Sequence, residues 1–106
     1  MVKSRKSGDQ LIVYLSGEID HCSADRMRGE IETLLEDAKI RSLVLNFENV
    51  GFMDSSGVGM IIGRYKTMRE RGGTVIACGL KPPTEKLFRM AGLHRIIAQE
   101  DAGRQE

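Results

Sequence analysis

The stretch from residue 42 to residue 78, SLVLNFENVGFMDSSGVGMIIGRYKTMRERGGTVIAC, decides the fold. It opens with an apolar run of strand length, SLVLNF at 42–47, and closes with a second one, TVIAC at 74–78. Between them the apolar residues recur at steps of three and four, which predicts a helix that Gly72-Gly73 ends. The residues expected on its buried face are Val58, Ile61, Ile62, Tyr65 and Met68. Two strands joined by a helix predict a parallel βαβ unit with a right-handed crossover.

The segments before this unit predict a hairpin and a further helix. Residues 2–6 and 11–15 have the composition of strands, and the turn residues at 7–10 lie between them. Ser23 is the expected N-cap of a helix whose apolar face runs through residues 24–38. The hairpin adds an antiparallel edge to the parallel strands that follow.

The segments after the unit complete the domain. Pro82-Pro83-Thr84 opens a helix that Gly92 ends, and residues 96–98 are a candidate final strand. The whole order predicts a single α/β domain over residues 1–98, with a mixed, mostly parallel β-sheet, an N-terminal antiparallel hairpin and helices packed on the sheet. Residues 99–106 are expected to form a polar C-terminal tail.

The composition limits the classes of function. A chain of 106 residues with 41% hydrophobic content can bury one modest core. Its 16 Lys and Arg against 15 Asp and Glu offer no excess of positive charge for nucleic acid or an anionic membrane. No apolar segment suggests a membrane span or a signal peptide, so we expect a cytoplasmic protein. Cys22 and Cys78 lack metal-ligand spacing, and no metal site is expected.

The junction at residues 52–59, FMDSSGVG, carries the chemistry, because functional sites of parallel α/β sheets lie where a strand leads into a helix. Asp54 or Ser55 is expected to cap the helix, which is worth about 1 kcal/mol. Ser55 also suits phosphorylation, since a phosphoryl group there would meet the helix dipole and free N–H groups. Roughly two negative charges added beside Asp54 would then repel a partner bound to this surface.

Two glycines inside the same helix call for an explanation. Gly59 and Gly63 each cost roughly 1 kcal/mol relative to alanine, and at about 100° per residue they share a face turned away from the expected core. We expect this face to contact another protein and call it the predicted partner face. Its residues are Ser56, Gly59, Met60, Gly63 and Thr67. The alternative is that the glycines admit a neighbouring loop or strand of the same domain.

Catalytic and cofactor-binding interpretations fit the junction less well. Residues 57–63 contain a dinucleotide-like glycine pattern with one residue too many, and no acidic residue ends the next strand at 74–78. A hydrolase nucleophile needs glycine two residues before and after it, and neither serine of the junction has both. A two-component receiver would use Asp54 as phosphoacceptor, but residues 17–20 do not supply its acidic pair cleanly. No cofactor is expected.

The motifs together resemble a known family. Residues 52–59, FMDSSGVG, followed by GRYK at 63–66, resemble the bacterial anti-sigma-factor antagonists of the STAS family, and GRYK is closer to its sporulation branch than to its general-stress branch. Residues 17–20, GEID, are similar to the family's Gly-Glu-Leu-Asp turn, and 87–93, LFRMAGL, to the end of its last conserved-looking helix. The resemblance covers nearly the whole chain. The family often has a further C-terminal helix, whereas residues 99–106 are short and charged.

This resemblance implies a partner-switching protein that is not an enzyme. The unphosphorylated antagonist would bind an anti-sigma factor that is itself a serine kinase, and would thereby free the sigma factor. The kinase would then phosphorylate Ser55, and a metal-dependent serine phosphatase would restore it. ATP would be bound by the kinase and not by this chain, and the kinase would dock on the predicted partner face. The residues expected around the phosphoacceptor are Asp20, Asp54, Ser56 and Gly57. The alternative is a STAS-type interaction module of another signalling complex.

Overall fold

Strands and helices alternate along the chain in a computed structural model, which describes residues 2–101. The elements are β1 (Lys3–Ser7), β2 (Gln10–Ile19), α1 (His21–Leu34), β3 (Ser42–Met53), α2 (Ser55–Glu70), β4 (Thr74–Cys78), α3 (Pro82–Met90), a 3-10 turn (Leu93–Arg95) and β5 (Ala98–Glu100). The strands form one sheet in the order β1-β2-β3-β4-β5. β1 is antiparallel to β2, and every other neighbouring pair is parallel. The predicted α/β fold with an N-terminal antiparallel hairpin is confirmed.

The three helices share one side of the sheet. Alternate residues of a strand point to opposite faces, so in β2 Leu11 belongs to the main core and Ile12 to a smaller cluster on the other face. The main core also contains Met27 of α1, Ile61 of α2 and Phe88 of α3. Burying side chains of this size contributes roughly 1.5–3 kcal/mol each. Helix packing on a single face leaves the starts of α1 and α2 next to each other at one edge of the sheet.

The start of α1 differs from the prediction. Asp20 is the N-cap, and Ser23, the expected cap, lies three positions later. The two residues form a capping box, in which each side chain accepts a hydrogen bond from the other residue's backbone N–H. Ser23 therefore belongs to the start of α1, as expected, but the helix begins earlier, at His21, because Asp20 is its N-cap.

The end of the chain also differs from the prediction. β5 covers Ala98–Glu100 instead of residues 96–98, because the 3-10 turn Leu93–Arg95 occupies the chain just before it. Gln99 and Glu100 pair with Ala77 and Cys78 of β4, so the expected tail boundary at residue 99 falls inside the sheet. Residues 102–106 of the expected tail lie outside the described residues.

Candidate partner-binding site

The strands β2 and β3 extend beyond the rest of the sheet. β1 begins opposite Tyr14 of β2, and β4 ends opposite Asn46 of β3. Past these points, residues 16–19 of β2 pair with residues 49–53 of β3. The junction identified in the sequence therefore lies at the end of a two-stranded extension, where α1 and α2 both begin.

Two carboxylates cap the two helices at this end. Asp20 accepts a hydrogen bond from the backbone N–H of Ser23 at 3.0 Å, and Asp54 accepts one from the backbone N–H of Ser56 at 2.8 Å. The hydrogen bond from Ser23 holds the pKa of Asp20 below its ordinary value. The caps directly follow paired residues of β2 and β3, so they lie at the same edge of the sheet.

The two serines of the junction differ in exposure. Ser55 is the first residue of α2 and is exposed, whereas Ser56 is half-buried. Asp54 precedes Ser55 directly, and Asp20 begins the neighbouring helix. Asp20, Asp54, Ser56 and Gly57 thus lie at the same end of the sheet as Ser55, and their role around a phosphoacceptor stays a prediction.

Gly57 is required by close packing. A Cβ built at Gly57 would lie 2.4 Å from Cγ and 2.6 Å from Sδ of Met53, and 3.0 Å from Cγ2 of Ile19. These distances leave no room for a larger residue without movement of Met53, which is itself buried. Gly57 therefore allows α2 to begin directly against the ends of β2 and β3.

Gly59 and Gly63 have no such role. A Cβ built at either position would meet no atom of residues 2–101 within 4 Å. The alternative that these glycines admit another part of the domain is therefore wrong, and internal packing does not explain their presence in the helix. Another part of the domain does lie close to a glycine of α2, but that glycine is Gly57.

The buried face of α2 is rotated from the predicted one. Its buried residues are Gly57, Met60, Ile61, Arg64 and Met68. Val58, Ile62 and Tyr65 are partly buried and pack against the margin of the core. The apolar pattern did not predict this face because two of its residues, Gly57 and Arg64, are not the apolar side chains on which periodicity depends.

The rotation corrects one member of the predicted partner face. Met60 is only 4% exposed and belongs to the core, so its placement on a face turned away from the core was wrong. Gly59 is exposed, whereas Ser56, Gly63 and Thr67 are half-buried. The Thr67 hydroxyl donates a hydrogen bond to the Gly63 carbonyl oxygen at 3.1 Å. Ser56 and Gly59 thus lie on the flank of α2 next to the first turns of α1, and Gly63 and Thr67 lie further along the helix.

A groove of about 210 Å³ separates the first turns of α1 and α2. Its lining residues are His21, Ala24, Asp25 and Arg28 of α1, and Ser56, Gly59 and Met60 of α2. Although Met60 lies mainly in the core, it also contributes to the floor of this groove. We call this space between the two helices the α1–α2 groove. Sequence periodicity could not show it, because it depends on how two helices pack.

An ion-pair chain links α1 to α2 beyond this groove. Arg28 contacts Asp25 at 2.9 Å and Glu32 at 2.8 Å, and the other oxygen of Glu32 lies 3.5 Å from Nη2 of Arg64. Arg64 is 5% exposed, and its Nε and Nη1 atoms have no hydrogen-bond partner in the described part of the chain. Burial lowers the pKa of Arg64. This contact was not predicted from the sequence. The step of four residues from Met60 to Arg64 places both on one face of α2 and could have indicated that Arg64 is buried.

A second cavity lies at the ends of β4 and β5. It measures about 310 Å³, and its lining includes Glu85, Glu100 and Asp101. Nearby, the pKa of Cys78 is raised to about 11, mainly by burial and also by the charges of Glu48 and Glu100.

Within residues 2–101, no three His, Cys, Asp or Glu side chains come together in a way that could hold a metal ion. No helix in that range is long and apolar enough to cross a membrane.

The family of the chain follows from comparison with known proteins. The model of the STAS domain matches residues 1–103. The chain belongs to the STAS domain family. This STAS domain is 41% identical over 87 residues to the anti-sigma F factor antagonist of Paenibacillus polymyxa, an alignment that covers 82% of the chain and 74% of the relative. The resemblance inferred from the sequence is confirmed.

Solved structures agree with the family assignment. The STAS domain is similar to the anti-sigma factor antagonist SpoIIAA in its unphosphorylated form, with a TM-score of 0.85 and 26% identity over 99% of the chain and 92% of SpoIIAA. It is also similar to the Bacillus cell fate determinant SpoIIAA in the phosphorylated form, with a TM-score of 0.77 and 26% identity over 99% of the chain and 96% of SpoIIAA. Both forms of SpoIIAA therefore have the fold described here.

Proposed function

We propose that this STAS domain is an anti-sigma factor antagonist whose unphosphorylated form binds an anti-sigma factor serine kinase and so releases the sigma factor. Phosphorylation of Ser55 by that kinase ends the binding. The observation that carries the proposal is the position of Ser55, which is exposed at the first position of α2, directly after the cap Asp54. The match to an anti-sigma F factor antagonist supports the same function and its sporulation branch.

Exposure favours Ser55 over Ser56 as the phosphoacceptor. A kinase must reach the hydroxyl, and Ser55 is exposed whereas Ser56 is half-buried against the α1–α2 groove. The backbone N–H of Ser56 is also held by Asp54 at 2.8 Å, which orders the chain at this point. Ser55 therefore presents its hydroxyl on an ordered scaffold.

The same geometry accounts for a switch that acts by charge. A phosphoryl group adds roughly two negative charges at neutral pH, and a helix N-terminus tolerates them because its dipole favours anions. Asp54 directly precedes the acceptor and Asp20 caps the adjacent helix, so the phosphoryl group adds its charge to two carboxylates at this end of the sheet. A docked partner would have to desolvate or oppose this charge, and it dissociates. The presence of one fold in both forms of SpoIIAA supports a local effect without refolding.

The proposal assigns the chemistry to other proteins. The kinase supplies ATP, a metal-dependent serine phosphatase removes the phosphoryl group, and this chain acts only as ligand and substrate, without a cofactor. Ser56, Gly59, Gly63 and Thr67 keep their proposed places in the docking surface, Met60 contributes to it only where it lines the α1–α2 groove, and Gly57 lies beside it. A cytoplasmic location follows from the proposal, because the sigma factor directs transcription there.

Intact mass spectrometry tests this proposal. The wild type, Ser55→Ala and Ser56→Ala are each incubated with the candidate kinase and ATP-Mg. We expect one added phosphoryl group in the wild type and in Ser56→Ala, and none in Ser55→Ala. A phosphoryl group that persists in Ser55→Ala, or a stable complex without any added mass, would contradict the assigned switch.

A further inference from the structure

Gly59 lacks an intramolecular reason to be glycine. It is exposed, a Cβ there would touch nothing within 4 Å in the described part of the chain, and an alanine in its place would favour the helix by roughly 1 kcal/mol. Gly57, two residues earlier, is explained by the Met53 side chain against it. The missing side chain of Gly59 must therefore matter outside the folded domain itself.

The space that Gly59 leaves open belongs to the α1–α2 groove. Gly59, Ala24 and Met60 form its apolar part, and the polar groups around it belong to His21, Asp25, Arg28 and Ser56. A volume of about 210 Å³ is several times that of a water molecule. It is also smaller than the roughly 300–1,000 Å³ of small-molecule sites. The size suits one side chain of another protein better than a metabolite.

The charged wall of the groove is already neutralised. Arg28 is held by Asp25 at 2.9 Å and by Glu32 at 2.8 Å, so its guanidinium has carboxylate partners within α1. An acidic side chain entering the groove would compete with these carboxylates. An apolar side chain would leave them in place and bury the apolar floor, which is the arrangement of a protein interface with an apolar centre and a polar rim.

The groove is continuous with the proposed switch. Ser56, one of its lining residues, directly follows Ser55 in α2. We propose that the α1–α2 groove receives a single apolar side chain of the anti-sigma kinase, and that Gly59 keeps the groove open for it. This inference rests on the proposed function, because the occupant belongs to that kinase. A phosphoryl group on Ser55 lies beside the docked side chain, which explains how one modification releases the partner.

Gly59 and Gly29 offer a matched test. Both are helical glycines with free space for a Cβ among residues 2–101, Gly59 in α2 and Gly29 in α1, but Gly29 neither lines the groove nor belongs to the predicted partner face. Affinity for the kinase is measured by titration calorimetry with ADP-Mg, for Gly59→Ala, Gly59→Leu and Gly29→Leu. We expect Gly59→Leu to weaken binding by about 30-fold or more, since loss of a central contact is worth about 2 kcal/mol. Gly59→Ala weakens it less, and Gly29→Leu by no more than about threefold. Thermal unfolding shows that each variant is folded.

Each outcome decides one claim. Wild-type affinity in Gly59→Leu, or equal losses in Gly59→Leu and Gly29→Leu, overturns the groove as the docking point. If Gly59→Leu does not fold, Gly59→Ala decides, and unchanged affinity in that variant overturns the inference. Binding that Ser55→Asp abolishes and both Gly59 variants retain contradicts the groove while the proposed function stands. A wild type that forms no complex with the kinase contradicts the proposed function itself, and the inference with it.

Discussion

The backbone N–H of Asp54 donates a hydrogen bond to the carbonyl oxygen of Ile19 at 3.1 Å, and this contact joins the ends of β2 and β3. Because Ile19 directly precedes Asp20, it sets the caps of α1 and α2 side by side. The first residue of α2, Ser55, is thus presented by two helix starts that are anchored to the same pair of strands. A rigid support of this kind suits a site whose proposed switch is the addition of one phosphoryl group.

Ser55→Asp is expected to keep the fold and weaken binding to the kinase by about tenfold or more, because the added carboxylate meets the partner beside Asp54. Ser55→Asn is the matched control, since it has nearly the same shape without the charge. Circular dichroism checks the fold, and titration calorimetry checks the affinity. Equal affinities for the Asp and Asn variants would show that charge is not the cause.

Gly57→Ala is expected to lower the free energy of unfolding by about 1–3 kcal/mol, because the new methyl group overlaps Met53. Gly59→Ala, where the methyl group has free space, is expected to raise it by up to about 1 kcal/mol. Urea denaturation of both variants measures the difference. A stabilised Gly57→Ala protein would mean that Met53 moves aside freely.

Asp20→Asn is expected to remove a pH-dependent part of the stability. The pKa of Asp20 is lowered in the folded protein by the hydrogen bond from Ser23. The ionised carboxylate therefore stabilises the fold above its ordinary pKa, and the contribution disappears as the pH falls through the lower folded value. Asparagine can cap the helix but does not titrate in this range. Urea denaturation from pH 7 down to pH 3 should show the wild type losing its advantage over Asp20→Asn at the acidic end, and a constant difference would contradict this account.

Arg64→Met is expected to leave the free energy of unfolding unchanged or to raise it by up to about 2 kcal/mol. Arg64 is buried, two of its nitrogens lack hydrogen-bond partners among residues 2–101, and its contact with Glu32 is long at 3.5 Å. An apolar side chain of similar length avoids this desolvation. Glu32→Gln should cost less in the Arg64→Met background than in the wild type, because the pair is then already absent. A large loss of stability in Arg64→Met would show that the ion pair is strongly stabilising.

Local patterns account for much of this structure. β4 begins and ends where the apolar run at residues 74–78 predicted, and Asp54 caps α2 as its position before a helical pattern indicated. Both follow from neighbouring residues alone, since a strand run and an N-cap are local features. The motif around Ser55 was recognisable for the same reason, because its residues are contiguous in the chain.

Long-range packing decided the rest. The face that α2 buries depends on α1 and the sheet, so Arg64 and Met60 lie inside although the apolar pattern had its centre elsewhere. The need for glycine at position 57 comes from Met53 and Ile19, which meet it only after β2 and β3 have paired. The α1–α2 groove likewise exists only between two packed helices. The order of elements and the proposed switch residue therefore follow from local chemistry, whereas the helix orientation and the proposed docking surface require contacts between residues distant in the chain.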